Sequence, residues 1–331
     1  MNSLSRLGIC DYENVWQLDN MIGTDALKTI FQKAERIATT ADTTVLILGE
    51  TGTGKGMLAK ALHRLSRRAD RPFVEINCSA IPAQLIESEI FGYEKGAFTD
   101  AKAKKPGLLE IADKGTVFFD EIGDMEVNLQ SKLLKVIEDK EFRPLGGAHT
   151  VSVDVRIVAA TSRDLSALVK EGRFREDLFY RLSVVPITMP PLREQRASIL
   201  PLADFYLNQF SKEMGKKVKG FTPAAREHMA QHSWPGNVRE LRNAIERSLI
   251  LTNEETIDVE ALGLPECATA GSASGVGPGT AGAMQPMSLA DCEKQLITTV
   301  LKSVGGNRNK AADVLKIHRT TLFKKFVEYH L

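Results

Sequence analysis

The fold of this chain is set by one stretch, in which the apolar run Val45-Leu46-Ile47-Leu48 continues as Gly49-Glu50-Thr51-Gly52-Thr53-Gly54-Lys55-Gly56. Residues 57–63 follow with the composition of a helix. The glycines allow backbone N–H groups to turn toward one point, where the first turn of the helix adds its positive dipole end. Phosphate oxygens would be held there, and Lys55 would reach the outer phosphates of a nucleotide. The stretch therefore predicts a strand, a phosphate-binding loop and a helix, with a plain glycine turn between two core elements as the alternative.

Four more short apolar runs have the pattern of buried strands, at residues 72–78, 115–121, 155–161 and 184–189. Helical patterns lie between most of them, and residues 24–38 have the pattern of an amphipathic helix. This alternation predicts an α/β fold with a parallel sheet flanked by helices, in which ligands bind at the carboxyl ends of the strands. Asn77, Asp120, Glu121 and Thr161 lie at the ends of three of these runs, so we expect them beside Lys55.

The acidic pair Asp120-Glu121 closes an apolar run, a pattern in which the first acid holds Mg²⁺ and the second orients or deprotonates an attacking water. Gly56 stands where Ser or Thr usually touches the magnesium ion, so the metal would be held through water or by residues elsewhere. Asn77 has two interpretations. It is either a turn or cap residue, or a switch that keeps Glu121 away from water until ATP is correctly placed.

The composition is that of an ordinary globular protein, with 331 residues of which 43% are hydrophobic and 26% are charged. This length predicts about two domains and a small third. The net charge of +1 means that any nucleic-acid surface is local. The four cysteines lack a CxxC pair and read as reduced thiols. Because the sequence has no run of about twenty apolar residues and no secretory start, we expect a cytoplasmic protein without a membrane partner.

Two insertions interrupt the sheet pattern. Residues 91–101 end in Gly96-Ala97-Phe98-Thr99-Asp100-Ala101, where small residues flank one aromatic side chain. This composition favours a flexible tip that presents Phe98 to a partner, while a loop whose Phe98 packs into its own core is the alternative. Residues 141–147 and 151–155 form the second insertion, with a glycine turn and an alternating strand pattern.

Arginines are dense in residues 172–182, which include Arg175 and Arg181. They could lie on a solvated helix face beside local acids, or reach into a neighbouring subunit, where guanidinium neutralises charge on a transferring phosphoryl group. Arg239 lies near the start of a helix that follows the turn residues Pro235-Gly236. A helical lid could use it to sense a nucleotide, although an arginine on a helix surface often only faces solvent.

Composition divides the chain into five parts. They are a short lead-in at residues 1–19, an α/β sheet domain at 20–191, a helical lid at 192–264, a flexible linker at 265–287 and a small helical domain at 288–331.

The last part is basic, with eight Lys and Arg against four Asp and Glu. Its pattern predicts helices at 289–301, 310–315 and 319–327, with the spacing of a helix-turn-helix between the second and the third. The third helix carries Arg319, Thr320, Thr321, Lys324 and Lys325, whose side chains could meet base edges and phosphates of DNA. A three-helix dimerisation unit with a solvated basic face is the alternative.

Taken together, these motifs resemble the bacterial enhancer-binding proteins, the AAA+ activators of the sigma-54 form of RNA polymerase. The resemblance runs from about residue 16 to residue 331, and the C-terminal part resembles the Fis-type helix-turn-helix of these activators. Its most specific marks are the glycine loop at 49–55, the loop at 96–101, the arginine segment at 174–182 and the sequence Trp234-Pro235-Gly236-Asn237-Val238-Arg239-Glu240-Leu241.

The resemblance implies a role for each predicted site residue. Residues 49–56 and Asp120 would bind ATP and Mg²⁺, Glu121 would activate water, and Asn77 would switch Glu121. Arg175 and Arg181 would act across a subunit boundary, which requires a closed ring, commonly a hexamer.

Two further roles follow from the same resemblance. Arg239 would sense the nucleotide from the lid, and Phe98 and Thr99 would form the tip that grips sigma-54.

The chain departs from the family pattern at several positions. Asp100 replaces the second glycine of the usual tip, which restricts the backbone and adds a charge near the contact point. Gly56 stands where these proteins often have Glu, and Ser162 stands where a sensing Asn is frequent, so we expect an altered nucleotide response. Residues 1–19 are too few for the family's N-terminal regulatory domain. Control is therefore expected from a partner protein, from expression or from a segment outside this sequence.

The leading interpretation is a ring-forming ATPase, bound to double-stranded enhancer DNA, that remodels the sigma-54 RNA polymerase. A second interpretation is a DNA-binding regulator in which ATP controls oligomerisation only and Asp100 has ended the contact with sigma-54. A third, an AAA+ remodeller of protein clients, is disfavoured by the basic C-terminal part.

Overall fold

The computed structural model describes residues 25–39, 43–98, 101–252 and 254–264, and beyond these the single residues 297, 300, 308, 311, 312, 322 and 325. The chain forms two compact units, Met1–Ala268 and Thr269–Leu331. Within the described ranges, no helix combines the length and the apolar composition needed to cross a membrane.

Helices and strands alternate along the first unit. Its α-helices are α1 Asp25–Ala38, α2 Lys55–Arg64, α3 Ala83–Phe91, α4 Leu108–Ile111, α5 Val127–Asp139, α6 Leu165–Lys170, α7 Glu176–Leu182, α8 Arg196–Met214, α9 Pro223–Gln231, α10 Asn237–Leu251 and α11 Val259–Leu262. Its strands are β1 Val45–Leu48, β2 Phe73–Asn77, β3 Gly92–Tyr93, β4 Lys105–Pro106, β5 Thr116–Asp120, β6 Glu141–Phe142, β7 Val151–Ser152, β8 Arg156–Thr161, β9 Val185–Thr188, β10 Gly220–Phe221 and β11 Thr256–Ile257.

A five-stranded parallel sheet forms the centre of this unit, in the order β2-β5-β8-β1-β9. Each of the five predicted strands is present within one residue of its predicted ends. Side chains of β5 alternate between two cores, because Val117 and Phe119 enter one and Phe118 enters the other. A sheet covered on both faces explains why its strands are continuous apolar runs, and the predicted α/β fold is confirmed.

The two insertions form adjacent hairpins. Strands β3 and β4 pair antiparallel, as do β6 and β7. The hairpins are joined because Leu145 N donates to Gly92 O at 2.9 Å and Glu94 N donates to Leu145 O at 3.0 Å. Phe98 is 45% exposed, and its ring lies 4.8 Å from that of Tyr93. The second insertion thus supports the base of the loop that carries Phe98.

The lid follows a 3-10 turn at Leu192–Glu194 and packs α8 to α11 around a core of its own. Trp234 is fully buried in this core, and its Nε1 donates to Met229 O at 2.9 Å. The lid also contains the parallel pair of β10 and β11, which the sequence pattern does not predict. Two residues are too few to produce an alternating pattern in a sequence.

In the second unit, six of the described residues are helical within the three predicted helices. Arg308 is helical too, two residues ahead of the predicted start of the second helix. Ile297, Ala312 and Leu322 are buried, one from each predicted helix, so all three helices bury apolar side chains.

Candidate nucleotide-binding site

A cavity of about 1240 Å³ lies at the carboxyl ends of the strands and extends to the lid. Most of the predicted phosphate loop, the acidic pair and the lid arginine line it, whereas Gly49, Glu50 and Thr53 of the loop do not. The predicted site residues in its wall are Thr51, Gly52, Gly54, Lys55, Gly56, Asn77, Asp120, Glu121 and Arg239. Glu121 lies 3.2 Å from Lys55, and Asp120 and Asn77 share the cavity wall with it, whereas Thr161, expected in the same group, is not in that wall.

The phosphate loop adopts a conformation that needs glycine. Gly52 and Gly54 have φ angles of +83° and +95°, a region that side chains with a Cβ rarely adopt. Helix α2 begins immediately afterwards at Lys55, so its free N–H groups open toward the cavity. Thr53 closes the loop from within, because its Oγ1 donates to Glu50 O at 2.8 Å.

Lys55 is 5% exposed and is held by the loop itself. Its Nζ donates to Gly49 O at 2.9 Å and to Glu50 O at 3.3 Å. The same ammonium lies 3.2 Å from Oε1 of Glu121. A nearly buried ammonium needs such partners, and the carboxylate of Glu121 stands where an anionic ligand could replace it.

Glu121 is fixed from two sides, and its backbone has a φ of +49°. Its Oε2 accepts hydrogen bonds from Ser162 N and Ser162 Oγ, both at 2.9 Å. Burial alone would raise the pKa of Glu121, but the bonds from Ser162 and the charge of Lys55 bring it below its ordinary value. The carboxylate is therefore ionised at neutral pH and points along a defined direction.

Asp120 differs from its neighbour in having a raised pKa. Burial is the main cause, and the charge of Glu121 adds to it, while Lys55 offsets only part. A half-buried carboxylate in this state gains from an added cation, and carboxylate oxygen is the ligand that Mg²⁺ prefers. Asp120 therefore fits a magnesium ion, whereas Gly56 offers no side-chain ligand.

Asn77 is committed to a turn. Its Oδ1 accepts from Ser79 N at 3.0 Å, Ser79 Oγ at 2.8 Å and Ala80 N at 3.1 Å. This is the turn interpretation of Asn77 from the sequence, and the switch role stays a prediction. The contact between Ser162 and Glu121 is not predictable from the sequence, in which Ser162 stands out only as a departure from the family pattern.

The side chain of Glu50 turns toward the lid. Arg193 donates to it twice, from Nη2 to Oε1 at 2.6 Å and from Nη1 to Oε2 at 2.8 Å. Asn237 Nδ2 adds a bond to Oε2 at 3.2 Å. The bond from Arg193, followed by that from Asn237, lowers the pKa of Glu50 to about 2. Glu50, predicted as a nucleotide ligand, is not among the residues that line the cavity.

Arg175 and Arg181 lie on the exposed surface around α7, outside the wall of this cavity. Arg175 Nη2 lies 2.7 Å from Oδ2 of Asp177, and Arg181 Nε lies 2.8 Å from Oε1 of Glu138. These pairs agree with the solvated-face interpretation within one subunit. Action on a neighbouring subunit stays a prediction.

Several predicted contact residues fall outside the described part of the chain. They are Thr99 of the sigma-54 tip and Arg319, Thr320, Thr321 and Lys324 of the third C-terminal helix. Lys325 of that helix is described and is helical.

Three family models match the chain in succession. The sigma-54 interaction domain matches residues 21–188, the AAA+ ATPase lid domain matches residues 193–273, and the bacterial regulatory protein Fis family matches residues 288–329. The first match contains every described strand of the parallel sheet, and the second begins within the 3-10 turn that starts the lid.

The chain is similar to the alginate biosynthesis transcriptional regulatory protein AlgB of Pseudomonas aeruginosa, with 47% identity over 92% of this chain and 66% of the length of AlgB. The regulatory protein AtoC of Escherichia coli is 43% identical over 95% of this chain and 68% of its own length. The crystal structure of NtrX from Brucella abortus has a TM-score of 0.73 and 34% identity, covering 93% of this chain and 69% of NtrX. NtrX has also been solved in complex with ADP and with ATP. The chain thus spans about two thirds of the length of these relatives.

Proposed function

This chain belongs to the family of sigma-54-dependent transcriptional activators, whose sigma-54 interaction domain is an AAA+ ATPase, and we propose that it hydrolyses ATP to remodel the sigma-54 RNA polymerase at a promoter. One observation carries the proposal. The phosphate loop, the acidic pair Asp120-Glu121 and the lid residue Arg239 line one cavity that is large enough for a nucleotide.

The side chains in this cavity divide the chemistry between them. Backbone N–H groups of the loop and of α2 would bind the phosphates, and Lys55 would exchange Glu121 for an outer phosphate oxygen. Once released from Lys55, the carboxylate of Glu121 would remain fixed by Ser162 and could accept a proton from the attacking water. Asp120 would hold Mg²⁺, which neutralises charge on the phosphates when it is bound.

Completion of the site by a neighbour is part of the proposal. Arg175 and Arg181 are exposed and lie away from their own cavity, so a ring, commonly a hexamer, would bring them to the nucleotide of the adjacent subunit. The predicted boundaries at 20–191, 192–264, 265–287 and 288–331 are kept in this proposal. The C-terminal domain would bind double-stranded enhancer DNA in the cytoplasm. The input signal would come from a separate regulatory protein, from expression or from a segment outside this sequence.

The loop that carries Phe98 is the proposed contact with sigma-54. Phe98 is 45% exposed at the end of a hairpin whose base is tied to the second insertion, so a rigid support presents an apolar tip. The alternative is a regulator without sigma-54 contact. The match of residues 21–188 to the sigma-54 interaction domain favours the activator.

An in vitro transcription assay on a sigma-54 promoter tests the proposal. The wild-type protein with Mg²⁺ and ATP should produce open complexes, and Glu121→Gln should bind ATP without producing them. Glu126→Gln is the matched control, because Glu126 is an exposed acid outside the cavity wall. Wild-type protein that binds DNA but neither cleaves ATP nor opens the promoter would contradict the proposal.

A further inference from the structure

The phosphate loop and the lid meet at a polar junction formed by Glu50, Arg193 and Asn237. Glu50 accepts two hydrogen bonds from Arg193, at 2.6 and 2.8 Å, and one from Asn237 at 3.2 Å. Arg193 belongs to the 3-10 turn that opens the lid, and Asn237 is the first residue of α10. One carboxylate of the loop thus holds two separate parts of the lid.

Asn237 is the centre of this junction. It is fully buried and has a φ of +53°, an uncommon conformation that needs support from its surroundings. Its Oδ1 accepts from Leu192 N at 2.8 Å, and its Nδ2 donates to Thr51 O at 3.0 Å as well as to Glu50. The amide group therefore connects the 3-10 turn at Leu192–Glu194, the phosphate loop and the start of α10.

Backbone contacts at the same place bring the phosphate loop and the lid into direct contact at Gly52. Val238 N donates to Gly52 O at 3.0 Å. A Cβ placed on Gly52 would lie 2.2 Å from Gly236 O and 3.1 Å from Arg239 Cβ. Arg239 lines the cavity only two residues after Asn237, so a shift of this junction would move Arg239 relative to the phosphate loop.

We propose that Glu50, Arg193 and Asn237 form a latch that seats the lid on the phosphate loop and sets the position of Arg239. Glu50 is thus a positioning residue that acts through the lid, and its side chain is not a nucleotide ligand. The inference rests on the proposed function, because it assigns the latch to the same ATP site. The carboxylate of Glu50 stays ionised far below neutral pH, so the latch is closed throughout the physiological range.

The first test needs no nucleotide. Hydrogen exchange of the full-length protein is measured at the amide of Val238 in the wild type, Glu50→Gln and Arg193→Gln. Both variants should speed exchange about three- to tenfold, the range expected for one exposed ion pair with an added amide bond. Asp204→Asn is the matched control, since Asp204 and Arg226 form a bidentate pair of similar exposure within the lid. Exchange in Glu50→Gln equal to that in Asp204→Asn overturns the latch.

The second test separates positioning from direct binding. The Kd for ATP is measured for Glu50→Gln, Arg239→Ala and the double variant. Each single variant should weaken binding, and Glu50→Gln should add little once Arg239 is absent, because the latch acts through that residue. Independent, additive effects would mean that Glu50 acts on the nucleotide itself and would overturn the inference. Wild-type protein that fails to hydrolyse ATP while the latch variants still speed exchange overturns the proposed function and supports the latch.

Discussion

Replacing Gly52 with alanine tests the contact between phosphate loop and lid most directly. Gly52 has a φ of +83°, and a left-handed backbone costs alanine about 1–2 kcal/mol. The new Cβ would also lie 2.2 Å from the backbone oxygen of Gly236, and such overpacking adds roughly 1–3 kcal/mol. The clash is relieved at least cost when the lid lifts from the loop. The conformation that binds ATP, with the lid seated, therefore carries the steric cost of about 1–3 kcal/mol. We expect ATP to bind roughly 5- to 150-fold more weakly, at 1.4 kcal/mol for each factor of ten.

Gly215→Ala provides the control for backbone strain. Gly215 ends α8 with a φ of +65°, and nothing lies within 4 Å of a Cβ placed there. Its substitution should lower the Tm by about 2–8 °C through the φ cost alone and leave the Kd for ATP unchanged. Titration of a fluorescent ATP analogue and hydrogen exchange at Val238 are measured on both variants. If Gly52→Ala binds ATP as tightly as the wild type, or loses affinity without faster exchange at Val238, the reasoning about the seated lid is wrong.

Three further predictions concern the chemistry. Glu121→Gln should keep ATP binding and lower kcat by about 10²–10⁴, with Glu126→Gln as control, and undiminished turnover would exclude Glu121 as the base. Ser162→Ala removes a donor that keeps the pKa of Glu121 low, so the acid limb of kcat should move to higher pH while Ser162→Thr keeps the wild-type profile; an unmoved limb in the alanine variant would refute this role. Arg175→Ala should lower kcat by about 10³–10⁵, whereas the control Arg173→Ala should not. Mixing Arg175→Ala with Glu121→Gln subunits should restore activity, because the second variant supplies Arg175 to sites in which Glu121 is intact. An inactive mixture would argue against action across subunits.

The sheet and the phosphate loop could be predicted because their signals are local. An apolar run, a glycine turn and a helix are read within some twenty residues, and the topology of parallel sheets then brings strand ends together. On that basis the sequence predicts Lys55, Asp120 and Glu121 at one edge of the sheet, and the structure adds that the pKa values of the two acids shift in opposite directions. Burial raises the pKa of Asp120 while Ser162 lowers that of Glu121, and neither effect is visible without the neighbours.

The latch lay beyond prediction because its partners are distant in sequence. Glu50 and Arg193 are 143 residues apart, and Glu50 and Asn237 are 187 residues apart. From the sequence of the phosphate loop alone, Glu50 is predicted to bind the nucleotide. Asn77 shows the same limit, since the sequence left a turn and a switch open and only the bonds from Ser79 and Ala80 reveal the turn.

Two residues with a strained backbone, Glu121 and Asn237, contact the phosphate loop through polar side chains. Glu121 and Asn237 have φ angles of +49° and +53°, each at a cost of about 1–2 kcal/mol, and each is held there by polar contacts. Lys55 and Ser162 hold the side chain of Glu121, while Thr51 and Glu50 hold that of Asn237. A nucleotide that binds Lys55 removes the contact between Lys55 and Glu121. The same nucleotide stiffens the phosphate loop, whose residues Glu50 and Thr51 hold Asn237. Nucleotide binding should therefore break the contact between Lys55 and Glu121 and tighten the lid on the phosphate loop. Because Glu121→Gln weakens that contact in advance, hydrogen exchange at Val238 in this variant should be slower than in the wild type when ATP is present, and equal to it without nucleotide.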